Sequence, residues 1–312
     1  MRTVFFGTPA LAVSYLAALE SAGHELVAVV TQPDRPAGRG RQLRPSAVKQ
    51  AALQRGLRVL DPGSAASAEF IEAIAKLRPE VCVVVAYGQI LTAALLAIPS
   101  TAFINVHYSL LPELRGAAPV YGALRQGRTH TGVTIQHLAE QLDAGDIILQ
   151  REMQIRPGDN CGTLTDRLTE LGVALLCEGL ELLARGQAPR IPQEHSRASY
   201  VGRVRAEDCR ICWSAPGEQI RNQVRACTPW PGAWCLVGGR RLRVLEVTPV
   251  QIPLSQGGVQ GSIVEFTGDG DPVVLTGRGA LAVRSVQPAG KRPMSAAAFL
   301  RGARLQAGDP FE

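Results

Sequence analysis

Residues 103–120 read FINVHYSLLPELRGAAPV, and this stretch determines both the type of sheet and the position of a polar site. The apolar residues around positions 105 and 107 predict a buried β-strand. Asn105 and His107 alternate along it, so both side chains lie on the same face. An unpaired amide or imidazole inside an apolar strand costs a few kcal/mol, so two on one face indicate a built polar site.

Three further apolar runs precede this strand, and helical patterns separate them. Buried strands that alternate with helices are typical of a parallel sheet covered on both faces, and such sheets bind ligands beyond the carboxyl ends of their strands. We therefore predict a Rossmann-like, mostly parallel α/β fold. The G-x-G-x-x-G spacing of dinucleotide sites is absent after the first strand. The predicted strands are Thr3–Phe6, Leu26–Val30, Val81–Ala86 and Phe103–Val106, and the predicted helices cover 9–22, 46–55 and 67–77.

A carboxylate follows in the next part of the chain. Residues 132–147 read GVTIQHLAEQLDAGDI, which predicts a strand and then a loop that contains Asp143. A centre for carbonyl transfer needs a donor for the oxygen, a group that moves protons and a carboxylate that fixes the imidazole. Asn105, His107 and Asp143 could supply these. On residue types alone, a satisfied core histidine, an asparagine bonded to backbone and a turn aspartate remain alternatives.

The second half of the chain has a different pattern. Residues 186–203 lose periodicity and carry two prolines, which predicts a linker. We predict a catalytic domain over 1–186, a linker over 187–205 and a second domain over 206–312. A helix near 216–227 and five short strands predict an OB-like β-barrel there. The predicted strands are Trp234–Val237, Arg241–Val247, Gly261–Phe266, Val273–Thr276 and Leu281–Val286, and a helix with Thr163 as its N-cap precedes the linker over Thr163–Ala184.

Composition restricts the function classes. The chain has 312 residues, of which 46% are hydrophobic and 19% charged, enough for two packed domains. No apolar run is long enough for a transmembrane helix, and the first residues predict a strand rather than a signal peptide. Seven cysteines without paired spacing predict a reduced, cytoplasmic protein. The pair Cys209 and Cys212 lacks the second C-x-x-C of a zinc ribbon, so we expect no metal site.

Positive charge is concentrated in two places. Residues 201–312 contain 14 Lys and Arg against 9 Asp and Glu, within a net charge of +6 for the whole chain. Residues 32–45 form an Arg-, Gly- and Pro-rich segment, which predicts an exposed loop at the same sheet edge as the polar site. Guanidinium groups suit phosphate oxygens, so both features are compatible with a polyanion partner. Ordinary solvated surface is the alternative for each.

The order of the polar residues adds a resemblance. The pattern N-x-H-x-S-L-L-P over 105–112, followed by L-D-x-G-D over 142–146, resembles the active-site signature of the formyltransferase family that uses 10-formyltetrahydrofolate. The segments TQPDRPAGRG, VVVAYGQIL and RACTPWPGAW are similar to the branch of this family whose acceptor is methionyl initiator tRNA. The resemblance extends from residue 4 to about residue 286.

The resemblance implies roles for individual residues. Asn105 would donate to the oxyanion, His107 would transfer protons and Asp143 would orient His107. It implies a monomer that uses 10-formyltetrahydrofolate without a metal and binds tRNA through both domains. Arg39 and Arg41 would meet the acceptor stem of the tRNA. The residues implied for the folate are Ser109, Leu110, Leu111, Pro112, Tyr87, Gly88, Gln89 and Ile90.

Two alternatives stay open at this point. A related formyltransferase could act on the amine of a nucleotide sugar or a glycinamide nucleotide, but the first type lacks the QPDRPAGRG loop and the second lacks a C-terminal domain. A folate- or nucleic-acid-binding module without catalysis is an alternative of a different class. An intact Asn105, His107 and Asp143 set favours an enzyme.

Overall fold

The computed structural model describes residues 1–37, 42–251 and 258–312, which form two compact units. The N-terminal unit comprises Met1–Pro119, Thr131–Gln154 and Asp166–Val201. The C-terminal unit comprises Val120–His130, Ile155–Thr165 and Gly202–Glu312. The boundaries drawn from sequence at residues 186 and 205 stay a prediction.

The N-terminal unit is built on a seven-stranded sheet with the order β10-β9-β7-β6-β1-β2-β5. The pairs β1–β2, β1–β6, β6–β7 and β2–β5 are parallel, whereas β9 is antiparallel to β7. The prediction of a mostly parallel α/β sheet is confirmed. The elements up to the second unit are β1 Arg2–Gly7, α1 Leu11–Ser21, β2 Glu25–Val30, β3 Arg35–Ala37, β4 Gln42–Arg44, α2 Ala47–Gln54, β5 Val59–Leu60, α3 Ala68–Lys76, β6 Val81–Val85, α4 Ala93–Leu96, β7 Ala102–His107, β8 Arg115–Gly116, α5 Pro119–Arg125, β9 His130–His137, β10 Ile147–Gln154, α6 Cys161–Ala184 and β11 Tyr200–Val201.

Local chemistry explains where the helices beside this sheet begin. Ser46 and Ser67 accept hydrogen bonds from backbone N–H groups three residues later and so cap α2 and α3. Thr163 is not the N-cap predicted for α6, because that helix begins at Cys161 and the Asn160 carboxamide accepts from the Thr163 N–H at 3.1 Å. The apolar strand residues pack around Phe6 in the core below the sheet.

The C-terminal unit contains an antiparallel sheet with the order β12-β13-β16-β15-β14, with β17 beside β16. All five predicted strands are present, and their barrel closure stays a prediction. One apolar cluster joins these strands to α7 and α8. The elements are α7 Gly217–Cys227, β12 Ala233–Val237, β13 Arg240–Val250, β14 Ile263–Phe266, β15 Pro272–Leu275, β16 Ala280–Pro288, β17 Met294–Ser295 and α8 Ala296–Ala303.

The structure also describes part of the Arg-rich segment, which was predicted to be a loop, and the Cys209 and Cys212 pair. The Arg-rich segment contains an antiparallel hairpin, with β3 paired to β4, on either side of residues 38–41. Cys209 is buried and Cys212 is exposed, and the described residues contain no cluster of three metal-ligating side chains. None of the described helices has the length and apolar character needed to span a membrane.

Candidate active site

The predicted polar face lies at the carboxyl end of β7. Asn105 pairs with Gln136 and His107 pairs with Thr134 across the antiparallel β7–β9 ladder. Directly opposed residues of such a ladder project from the same face, so four polar side chains share it. The neighbouring parallel strand β6 also ends at this edge, which is where open α/β sheets bind ligands.

His107 is buried and held from one side only. Its Nε2 lies 2.9 Å from the carbonyl oxygen of Leu114. A carbonyl can only accept, so this contact places a proton on Nε2 and leaves Nδ1 as the basic nitrogen. Nδ1 lies 3.7 Å from Oδ2 of Asp143, beyond hydrogen-bond distance but within reach of an ion pair once Nδ1 is protonated. The Leu114 carbonyl therefore orients the ring, and Asp143 acts on it through charge.

The Asp143 carboxylate is buried and fully engaged. Oδ2 accepts from the Gly116 N–H at 2.7 Å, and Oδ1 accepts from the Gln136 carboxamide at 3.2 Å. The residue adopts a φ of 50°, in the left-handed region that Asp tolerates better than most residues. These constraints fix the position of a negative charge beside His107.

In contrast to the Asp143 carboxylate, the Asn105 carboxamide is not held by hydrogen bonds to described residues. It is half-buried, and within the described ranges it makes no side-chain hydrogen bond. An unengaged N–H donor on the same face as His107 is the arrangement needed to bind a developing oxyanion.

The turn that follows β7 is tied to β9. The Ser109 hydroxyl donates to the Glu113 carbonyl at 2.6 Å, and the Ser109 carbonyl accepts from Thr134 at 2.6 Å. Leu111 is buried, whereas Leu110 and Pro112 are half-buried. Of the residues implied for folate in this turn, Leu110 and Pro112 therefore have apolar surface that a ligand can contact. Ser109 instead fixes the conformation of the turn through its hydrogen bonds.

The loop after β6 divides its implied folate residues in the same way. Tyr87 is buried in the core against Phe6, and burial raises the pKa of Tyr87 to about 12. The Gln89 side chain is occupied by the Ala65 N–H at 2.8 Å and the Pro62 carbonyl at 3.1 Å. Gly88 has a φ of 89°, and Ile90 is 87% exposed. Backbone around Gly88 and the Ile90 side chain are thus the parts of this loop open to a ligand.

The two arginines implied for tRNA, Arg39 and Arg41, lie outside the described residues. Near the paired strands β3 and β4, the ammonium group of Lys49 contacts Asp34 and Asp61, both at 2.7 Å. Hydrogen bonds to these two carboxylates raise the pKa of Lys49. The segment that enters β3 is therefore tied to α2 through Lys49.

Sequence reasoning missed Gln136 and Gln193. The Gln193 carboxamide donates to the carbonyls of Asp143 at 2.9 Å and Gly145 at 2.7 Å, so it holds the loop that carries the carboxylate. Gln136 could have been found from its position opposite Asn105 on a buried strand. Gln193 could not, because it lies in a segment without periodicity, far along the chain.

Two family models match the chain. Residues 1–180 match the model described as formyl transferase, and residues 203–304 match the formyl transferase C-terminal domain. The methionyl-tRNA formyltransferase of Moorella thermoacetica is 46% identical over 309 residues, which cover 99% of this chain and 98% of the relative. The chain belongs to the methionyl-tRNA formyltransferase family. The enzyme of the same name from Bacillus pumilus is 44% identical over 98% of this chain and 96% of its own length.

Solved structures share the fold of the family at low identity. HypX from Aquifex aeolicus in complex with tetrahydrofolic acid superposes with a TM-score of 0.66 at 18% identity, covering 96% of this chain and 47% of HypX. The sugar 3N-formyltransferase WlaRD, crystallised with dTDP and 5-N-formyl-THF, gives a TM-score of 0.69 at 14% identity over 94% of this chain and 99% of its own. These likenesses establish the fold.

Proposed function

We propose that this chain transfers the formyl group of 10-formyltetrahydrofolate to the α-amino group of methionyl initiator tRNA. The observation that carries the proposal is the convergence of Asn105, His107 and Asp143 on one sheet edge of a chain that aligns from end to end with methionyl-tRNA formyltransferases. The product would be N-formylmethionyl-tRNA, which is used in translation initiation. We further infer a cytoplasmic enzyme that acts as a monomer.

The reaction exchanges one C–N bond for another. The amine of the methionyl group attacks the formyl carbon, a tetrahedral intermediate forms, and the bond to N10 of the folate breaks. The amine loses one proton, and N10 gains one. The Asn105 amide, which has no side-chain hydrogen-bond partner among the described residues, donates to the oxygen that becomes negative.

His107 handles the proton. Nε2 is engaged by the Leu114 carbonyl, so Nδ1 is the atom that accepts a proton from the attacking amine. Once protonated, the imidazolium is stabilised by the Asp143 carboxylate at 3.7 Å. It can then donate the proton to the departing nitrogen. No step requires a metal ion.

Folate is proposed to bind between the turn at 109–112 and the loop at 87–90, which leave β7 and β6 at one edge. We expect addition of 5-formyltetrahydrofolate, a stable analogue, to slow hydrogen exchange in both segments, because a ligand that orders strand-end loops reduces local opening. Exchange followed by mass spectrometry measures this. Protection confined to the C-terminal unit would show that the folate binds elsewhere.

Arg39 is proposed to position the acceptor end of the tRNA. We expect Arg39→Ala to lower kcat/KM for charged tRNA by about 10- to 100-fold, because a misplaced nucleophile loses the advantage of proximity. Folate affinity should remain unchanged. Arg185→Ala, which removes an exposed arginine that pairs with Glu181, is the matched control. Unchanged tRNA kinetics, or an equal loss of folate binding, would rule out this role; Arg41→Ala should give a smaller loss of the same kind.

The identity of the acceptor is tested by offering the protein each candidate amine. Purified protein is mixed with radiolabelled 10-formyltetrahydrofolate and supplied with methionyl initiator tRNA, an amino-deoxy nucleotide sugar or glycinamide ribonucleotide. We expect label to transfer only to the tRNA and only when it is charged with methionine. Transfer to a nucleotide amine would support the runner-up formyltransferase, and folate binding without transfer would support a non-catalytic module.

A further inference from the structure

Arg115 is a buried cation without an anionic partner. The residue is only 1% exposed, and among the described residues no carboxylate lies within ion-pair distance of it. A guanidinium group stays protonated at every relevant pH. Burial of an unpaired charge is expensive, so residues of this kind occur where neighbouring dipoles or a functional charge compensate them.

The groups that contact the Arg115 guanidinium are neutral acceptors. Nε and Nη2 donate to Oε1 of Gln193 at 3.1 and 2.6 Å. Nη1 donates to the Tyr200 hydroxyl at 3.1 Å, and Nη2 lies 3.1 Å from Nδ1 of His195. The guanidinium carbon is also 5.9 Å from the centre of the Tyr200 ring. The charge is therefore solvated by dipoles rather than neutralised.

One of these contacts begins a chain of hydrogen bonds that ends at Asp143. The Gln193 carboxamide receives two bonds from Arg115, and its Nε2 lies 3.3 Å from Oε1 of Gln136. The two N–H groups of Nε2 also reach the carbonyls of Asp143 and Gly145, so the contact with Gln136 shares one of these donors. Gln136 in turn donates from Nε2 to Oδ1 of Asp143 at 3.2 Å. Each donor points away from the cation and toward the carboxylate.

The direction of this chain is determined at both ends. Arg115 can only donate, so it requires the oxygen of Gln193 and turns the nitrogen toward the carbonyls of Asp143 and Gly145. Gln136 must then present its oxygen to Gln193 and its nitrogen to the carboxylate. Aligned dipoles of this kind polarise one another in a buried environment.

Arg115 also precedes the residue that contacts Asp143 directly. The Gly116 N–H donates to Oδ2 at 2.7 Å. Gly116 has a φ of 105°, and a Cβ there would lie 2.5 Å from the Val201 carbonyl oxygen. The pairing of β8 with β11 thus places a backbone donor at the Asp143 carboxylate and the Arg115 guanidinium at the start of the hydrogen-bond chain that leads to it.

We propose that Arg115 is a positioning residue for the reaction: acting through Gln193 and Gln136, it holds the Asp143 carboxylate in place beside His107. This inference rests on the proposed function, because it gives Asp143 its role there. Arg115 itself touches no reacting atom. Its effect should therefore be on the rate of the chemical step and not on substrate binding.

Two variants test the chain of hydrogen bonds at different points. Arg115→Met removes the charge at similar length. Gln193→Glu keeps the acceptor for Arg115 and even supplies it with a carboxylate, but removes the N–H donor that continues the chain. We expect both to slow single-turnover formyl transfer per folded molecule by about 10- to 100-fold, the scale of a misplaced catalytic group. Dissociation constants for folate and charged tRNA should stay within about twofold of wild type.

Controls separate this role from simple stabilisation. Arg115→Lys should recover part of the rate lost in Arg115→Met, and Arg151→Met, which breaks an exposed pair with Glu178, should match wild type. If Arg115→Met does not fold, a wild-type rate in Gln193→Glu still overturns the proposal. Because Gln193 also holds the Asp143 loop directly, a slow Gln193→Glu supports the proposal only if Arg115→Lys is slower than wild type as well, and a wild-type Arg115→Lys rate beside it overturns the proposal. Wild-type rate constants in folded Gln193→Glu, or losses of rate that only follow losses of substrate affinity, would overturn the proposal. A wild-type chain that formylates no tRNA would overturn the proposed function and this inference with it.

Discussion

Asn105→Ala is expected to lower kcat for formyl transfer by about 10²–10³-fold, with little change in substrate affinity. The loss corresponds to about 3–4 kcal/mol for removal of one preorganised donor to an oxyanion. The Asn105 amide makes no side-chain hydrogen bond among the described residues, so its truncation leaves no buried group unpaired, and the fold should persist.

Rapid-quench kinetics at saturating folate and charged tRNA measure this effect. Thermal unfolding within a few degrees of wild type confirms the fold, and equilibrium folate binding checks the ground state. A variant that keeps kcat but has a higher KM would show that Asn105 binds substrate equally in the ground and transition states, and the role in oxyanion stabilisation would be wrong.

Asp143→Asn is expected to lower kcat by about 10²–10³-fold, because Asp143 acts on His107 through a fixed charge at 3.7 Å. The carboxylate accepts from both the Gly116 N–H and the Gln136 carboxamide. An asparagine has one acceptor oxygen and can satisfy only one of these donors. It also removes the charge that stabilises protonated His107.

The geometry around Asp143 supplies the control. Asp146→Asn, three residues later, removes a half-exposed carboxylate that lies 3.6 Å from Arg190. We expect it to retain wild-type kinetics. If Asp143→Asn were as active as Asp146→Asn, the charge beside His107 would contribute nothing to the reaction. Melting curves of both variants separate lost activity from lost structure.

The sequence predicted best where local periodicity and burial agree. The apolar run around Asn105 and His107 placed both on one face of a strand, and that strand is observed as Ala102–His107. The strands of the C-terminal unit were also predicted, because turn residues separate them clearly. Asp143 was linked to this site by its place in the loop after a predicted strand and then by the resemblance, since residue type alone left an ordinary turn aspartate as the alternative.

The contacts that support Asp143 could not be predicted from local sequence patterns, because they depend on pairing between segments far apart in the chain. Strands β8 and β11 pair residues 115–116 with 200–201, and neither segment has a strand pattern of its own. Gln193 looks like part of a polar linker until this pairing brings it under Asp143. The sequence pattern also could not show whether the Tyr87 side chain is buried in the core or exposed to the folate.

The central claim is that His107 and Asp143 act with Asn105 as one centre for formyl transfer. A double-mutant cycle in single turnover tests it most directly, with wild type, His107→Ala, Asp143→Asn and the double variant at saturating folate and methionyl initiator tRNA. Groups that act as a unit are strongly non-additive. We predict that His107→Ala is slower than wild type by orders of magnitude and that the double variant is within about tenfold of the slower single variant. Losses that multiply in the double variant, or a His107→Ala rate near that of wild type, would contradict the account.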